Sequence, residues 1–241
     1  PNAFGLTVRY AMKALPNAEV LRLFAQCGLR LDASSGYEAE RAILAGIAPP
    51  LIQLTAQQLP ANLAELVARG VKFNACSLHQ LRSYGQQFPG SEIFLRMNPG
   101  LGSGHSNRTN VGGPSSSFGI WHAHLDEALA CAAEFRLRVT GMHTHIGSGS
   151  EPAVWLHCAQ LALDLVARMP DVSTRSLGGG YKVARVPGEP STDLEEIGAP
   201  IREAFIAFAE RHGRKLHLEI EPGTFLVAHA GSLLCTAMDV V

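Results

Sequence analysis

The stretch Thr7-Val8-Arg9-Tyr10-Ala11-Met12-Lys13-Ala14 alternates like a β-strand and runs straight into a lysine flanked by small alanines. A strand that ends on a lysine holds an amine on a rigid element at the edge of a sheet. In a pocket there, partial desolvation can lower its pKa, which is what an amine needs to attack an aldehyde. A solvated lysine at a strand end explains these residues equally well, so the groups at the later strand ends must decide. Strand-like and helical runs alternate from here to the end of the chain, the pattern of a parallel sheet with crossover helices.

After this first strand, Ala18 to Gly28 has helical spacing and a glycine stop. Leu29 to Leu31 is a second strand leading into Asp32-Ala33-Ser34-Ser35, and Glu38 to Gly46 is its helix. Leu51 to Leu54, Val71 to Cys76 and Ile93 to Met97 read as strands three to five, with helices over Ala61 to Arg69 and Ser77 to Tyr84 between them. Val139 to His145 is strand six, Ser173 to Leu177 strand seven and Leu216 to Ile220 strand eight. Their helices cover Val154 to Arg168 and Ile197 to Arg211, and His124 to Arg136 is the helix before strand six. Eight such units over 241 residues predict a closed (β/α)8 barrel, an α/β TIM barrel, over residues 1–226. Residues 227–241 read as an exit strand leading toward a further, C-terminal β domain. A start on Pro1 and a stop inside an apolar run suggest a piece of a longer chain.

Composition narrows the function. A net charge of -1 gives no electrostatic reason to expect nucleic acid or a membrane surface. No apolar run reaches spanning length and no signal peptide opens the chain. Five widely spaced cysteines without a CxxC fit reduced thiols in a cytoplasmic protein, and the ten histidines form no HExxH. A metal site is not expected.

In a TIM barrel the working groups lie just past the carboxyl ends of the strands. Those positions here are Lys13, Asp32, Arg96, His145, Gly178-Gly179-Gly180 and Glu221. Three glycines let successive N–H groups converge on an anion, and the loops after strands seven and eight are the usual phosphate site of this fold. Ser148, in its glycine setting, could donate to the same phosphate. His145 could stack on a planar ring, whereas the deeper His143 reads as a satisfied interior residue. Glu221 could keep a pyridine nitrogen protonated, although a surface glutamate before Pro222-Gly223 is the bland alternative. The segment from Gly100 to Gly119 reads as a mobile lid whose His105, Asn107 and Arg108 contact substrate, with a solvated excursion as the alternative. Its Gly100-Leu101-Gly102-Ser103-Gly104 is a poor dinucleotide motif, because no helix opens after it.

Six motifs carry a specific resemblance: Tyr10-Ala11-Met12-Lys13-Ala14; Asp32-Ala33-Ser34-Ser35 with Glu38; Leu95-Arg96-Met97-Asn98-Pro99; His145-Ile146-Gly147-Ser148-Gly149; Gly178-Gly179-Gly180; and Glu221-Pro222-Gly223. Together they resemble the barrel domain of the alanine-racemase-like (fold-type III) pyridoxal-phosphate decarboxylases, which include the diaminopimelate, ornithine and arginine decarboxylases. The resemblance implies pyridoxal 5'-phosphate as cofactor, with Lys13 joined to its aldehyde as a Schiff base and His145 stacked on its ring. It also implies Glu221 at the pyridine nitrogen, Ser148 and Gly178–Gly180 on the phosphate, and Asp32, Glu38 and Arg96 around the lysine and ring.

The expected activity is decarboxylation of an amino acid, with meso-diaminopimelate the first candidate and ornithine, arginine, lysine or carboxynorspermidine the alternatives. Racemases of this fold place arginine at the ring nitrogen, so Glu221 argues against racemization. A non-catalytic cofactor-binding barrel is disfavoured by the strand-like exit. The resemblance further implies a homodimer. Two departures from the family pattern stand out. Thr224 replaces the usual arginine after Glu-Pro-Gly, which predicts weaker cofactor retention through loss of a charge-assisted contact. Ser117 precedes Phe118-Gly119 where diaminopimelate decarboxylases commonly carry lysine.

Overall fold

A computed structural model describes residues 3–101, 113, 116–147, 151–232 and 234–239. Among these residues the chain forms nine strands, all parallel to their neighbours. They are β1 (Leu6–Ala11), β2 (Arg30–Ala33), β3 (Ile52–Leu54), β4 (Lys72–Ala75), β5 (Glu92–Asn98), β6 (Ile120–Trp121), β7 (Arg138–His143), β8 (Thr174–Ser176) and β9 (His217–Ile220). The strand order β4-β3-β2-β1-β9-β8-β7-β5 closes on itself through the β4–β5 pairing, giving the eight-stranded barrel. The helices are α1 (Ala18–Gln26), α2 (Gly36–Leu44), α3 (Leu63–Ala68), α4 (Leu78–Gln87), α5 (Leu125–Glu134), α6 (Pro152–Ala167), α7 (Leu194–His212) and α8 (Thr224–Val227).

Two features depart from the sequence reading. β6 is an added two-residue strand pairing with the end of β5, Met97 opposite Ile120 and Asn98 opposite Trp121. A two-residue ladder leaves no periodicity to read, so only the partner reveals it. Among the described residues of 227–241 no strand is present. Thr224–Val227 is one turn of helix, and the described residues of 228–239 belong to no strand. The apolar run is real, but a strand needs a ladder partner, and none is present for it among the described residues.

The strand alternation sorts side chains onto two sides. One set faces the helices and builds the apolar core, as where Tyr10 meets Phe24 of α1 edge-on at 4.5 Å between centroids. The other set includes a polar barrel interior. Arg9 and Glu219 are both buried and form a bidentate pair, Nε to Oε2 at 2.8 Å and Nη2 to Oε1 at 2.9 Å. This pair joins the first strand to the last. Gln53 and Asn74 are also fully buried.

The βα turns are set by a repeated device. Ser35 caps α2 by accepting the Glu38 N–H at 3.2 Å, while the Glu38 carboxylate reaches back to the Ser34 N–H at 2.7 Å. Ser77 and Gln80 do the same for α4, with Gln80 Oε1 on the Cys76 N–H at 2.7 Å. These reciprocal caps fix how each strand turns into its helix. Glu38 is therefore a helix cap and does not line the site.

Removing one partner of the buried pair leaves an uncompensated charge in the barrel. Arg9→Met is expected to lower stability by about 3–5 kcal/mol, while adding Glu219→Leu recovers most of the loss. Urea unfolding of the two variants, with the midpoint compared at constant slope, checks this.

Candidate active site

A cavity of about 1050 Å³ opens at the carboxyl ends of the barrel strands. Lys13, Asp32, Arg96, His143, His145, Gly179, Gly180, Glu221 and Thr224 all line it. The opening and closing strands thus bring their lysine and glutamate to one hollow, as β1 and β9 are hydrogen-bonded neighbours. The Ala11 N–H donates to the Pro222 carbonyl at 3.1 Å, continuing that contact past the end of β9. Ser148, His105, Asn107 and Arg108, also expected here, lie outside the described residues.

Lys13 follows β1 on a short 3-10 turn, Met12–Ala14, which carries it beyond the sheet into the open cavity. It is solvent-exposed, so the burial anticipated for a strand-end amine is absent in this structure. Asp32 is buried and accepts a hydrogen bond from Thr55 Oγ1 at 2.8 Å. Burial, and then the nearby Glu221, push its carboxyl well above the usual carboxylate range. Arg96 sits over the Phe118 ring at 4.9 Å from its centroid, a cation–π contact. The phenylalanine of the unusual Ser117-Phe118-Gly119 sequence therefore forms one wall of the arginine's surroundings.

Glu221 is buried at 6% exposure, and both of its oxygens are engaged. Ser176 Oγ donates to Oε1 at 2.9 Å, and His143 Nε2 lies 2.8 Å from Oε2. Burial raises the Glu221 carboxyl above its ordinary value, opposed by the Ser176 hydrogen bond and by Arg9. For His143, burial and then Arg96 and Arg175 push the imidazole well below its ordinary value. The 2.8 Å contact is a buried hydrogen bond between His143 Nε2 and Glu221 Oε2, and Nδ1 has no partner among the described residues.

His143 is buried in the barrel interior and hydrogen-bonded, as its sequence position predicts, and the structure adds its partner. His143 lines the cavity and orients Glu221. The signal was the His-x-His spacing, which places His143 at the end of β7 and His145 two residues beyond it. What remained illegible was Ser176, since its register partnership with His143 appears only once β7 and β8 pair.

His145 lies two residues past the end of β7 and is half-buried. Burial, and then Arg96 and Lys13, hold it well below the ordinary histidine range, so it presents a neutral flat ring. At the glycines the backbone approaches closely. A Cβ on Gly179 would lie 2.1 Å from the Glu221 carbonyl oxygen, and Gly178 adopts φ of 69° beside His145. No larger residue fits at Gly179 without moving the strand end that carries Glu221.

An amine, a histidine ring, a buried carboxylate and a glycine turn thus border one hollow. The chain matches the family described as pyridoxal-dependent decarboxylase, pyridoxal binding domain, over residues 2–228, and it belongs to that family. A diaminopimelate decarboxylase of Streptomyces coelicolor is 38% identical over 236 residues, covering 94% of this chain and 53% of the relative. That of Escherichia coli K12 is 37% identical over 239 residues, covering 97% and 57%.

A crystal structure of diaminopimelate decarboxylase aligns with a TM-score of 0.85 at 37% identity, covering 91% of this chain and 54% of that one. The Vibrio vulnificus lysine/ornithine decarboxylase complexed with putrescine shares the fold, with a TM-score of 0.73 at 24% identity, covering 92% and 58%. The chain spans about half the length of the curated relatives it matches. The family's cofactor is pyridoxal 5'-phosphate, and the donor set fits it: an amine for the aldehyde, a buried carboxylate for a ring nitrogen, and a glycine turn for the phosphate.

His143 gives this site a pH signature. Its folded pKa lies below the unfolded value of 6.5, so the unfolded chain binds more protons and stability is lost as pH falls below 6.5. In His143→Gln, whose amide can still donate to Glu221, a smaller loss of stability is expected between about pH 7.5 and about pH 5. Urea midpoints measured across that range check it.

Proposed function

We propose that this protein decarboxylates an amino acid with bound pyridoxal 5'-phosphate, and that its substrate is meso-diaminopimelate, giving L-lysine. The observation that carries the reading is the buried Glu221 carboxylate, doubly hydrogen-bonded, in the same cavity as Lys13. Bound there, the cofactor supplies an electron-withdrawing pyridine ring that accepts the electron pair released as carbon dioxide departs.

The roles of the protein groups rest on their chemistry. Lys13 is the amine that would hold the cofactor through its aldehyde. Glu221 keeps a proton on the ring nitrogen, and Ser176 and His143 fix the direction of its carboxylate. His145, neutral and flat, stacks on the ring. Ser148 and Gly178–Gly180 hold the phosphate. Asp32 and Arg96 flank the lysine and ring. An acid at the ring nitrogen favours a full electron sink and so decarboxylation over racemization.

The substrate assignment draws on the relatives named diaminopimelate decarboxylases at 37–38% identity. We further place the protein in the cytoplasm as a homodimer. Its five free cysteines, with Cys27 and Cys235 exposed, suit a reducing compartment. Exposed Tyr37 and Leu44, at 90% and 84%, offer apolar surface for a partner copy. Among the described residues no helix is long and apolar enough to cross a membrane.

The full-length protein is expected to release carbon dioxide from meso-diaminopimelate faster than from ornithine, arginine or lysine. Lys13→Ala should lose the cofactor's lysine-linked absorbance and the activity. Glu221→Gln should keep the cofactor and slow turnover by about 10²-fold or more. Carbon dioxide release without dependence on Lys13, or preference for another amino acid, would overturn the respective half of the proposal.

A further inference from the structure

Four lysine and arginine residues line the cavity: Lys13, Arg96, Lys182 and Arg185. Arg96 is occupied by Phe118, and both Arg96 and Lys13 lie close enough to His145 to help keep its ring neutral. Lys182 and Arg185 stand elsewhere, on the loop that continues directly from Gly178–Gly180. No hydrogen bond or ion pair engages the Lys182 ammonium or the Arg185 guanidinium among the described residues.

The backbone beneath them is fixed. Lys182 and Thr192 are joined twice, the Lys182 N–H donating to Thr192 Oγ1 at 2.7 Å and the Thr192 N–H donating to the Lys182 carbonyl at 2.8 Å. The Ala184 N–H donates to Ser191 Oγ at 2.9 Å, and the Ala184 carbonyl accepts from His229 Nε2 at 2.7 Å. The Arg185 N–H donates to Glu189 Oε2 at 2.9 Å. That bond, with Lys182 and Arg185 nearby, holds the Glu189 carboxyl below its ordinary value. The acid of this loop is thus engaged in folding it back on itself, and Lys182 is held half-buried in the cavity wall.

The cavity wall at the glycine turn offers Gly179, Gly180 and the neutral Thr224 hydroxyl, while the Gly178 N–H is engaged by Ser176 Oγ at 3.2 Å. A dianion in a partly enclosed site gains most from a contact with a full positive charge, which none of these supplies. We propose that Lys182, with Arg185 beside it, provides the positive charge for the cofactor phosphate in this protein, so that the charge missing at Thr224 is restored from the loop after β8. This rests on the reading of Gly178–Gly180 as the phosphate cradle.

The test titrates full-length protein, stripped of cofactor, with pyridoxal 5'-phosphate and separately with pyridoxal, following absorbance. Lys182→Ala is expected to weaken pyridoxal 5'-phosphate binding about tenfold and leave pyridoxal binding unchanged. Arg185→Ala should act in the same direction, and Thr224→Arg should restore affinity to Lys182→Ala. Unchanged pyridoxal binding also shows that each variant is folded. Equal weakening of both ligands, or no weakening of either, would overturn the proposal. A raised KM for a dicarboxylic substrate with unaltered cofactor affinity would overturn it too, and would assign the cations to substrate. Wild-type protein that binds neither ligand would overturn the cradle reading itself, an outcome distinct from failure of Lys182 alone.

Discussion

Two carboxylates two residues apart at the end of the last strand, Glu219 and Glu221, both lie buried, and the molecule meets that electrostatic constraint in two different ways. Glu219 is neutralised by a bidentate arginine from the first strand, in a buried arrangement that tolerates little movement. Glu221 is held instead by the Ser176 hydroxyl and the His143 ring, one hydrogen bond to each oxygen and no arginine against either. One acid is thereby made structural, and the other is kept chemically available beside the cavity.

The same contrast runs through the surrounding residues. His143 and His145 stand two residues apart where β7 ends, and both are kept neutral, chiefly by burial and then by Arg96. One hydrogen-bonds the Glu221 carboxylate, while the other lies beyond the strand end with its ring at the cavity. Glu221 raises the cost of ionising Asp32 across the hollow, and Thr55 partly offsets this. The glycines tie these features together, because Gly179 packs against the very carbonyl of Glu221. The glycine turn and the acid are joined again where the Glu221 N–H donates to the Gly178 carbonyl at 2.8 Å.

Much of this was readable in the chain. Strand-helix alternation is local, governed by side-chain periodicity, so the eight barrel strands appear in the sequence at nearly their observed bounds. The rule that barrel chemistry sits past strand ends then selected Lys13, Asp32, Arg96, His145 and Glu221, which the fold brings to one cavity. β6 was missed because two residues have no period, and over 227–241 apolar alternation does not by itself supply a ladder partner.

Period and punctuation along a single chain were enough to say which residues lie at strand ends, because both are properties of neighbours in sequence. Which of those residues touch is a matter of packing. The Ser176–Glu221–His143 bridge draws on three strands and depends on their register, and the Arg9–Glu219 pair joins residues 210 positions apart. Charge state was likewise beyond the reach of a linear reading. The neutrality of the two histidines comes from burial, which belongs to the packed barrel and not to any residue's neighbours along the chain.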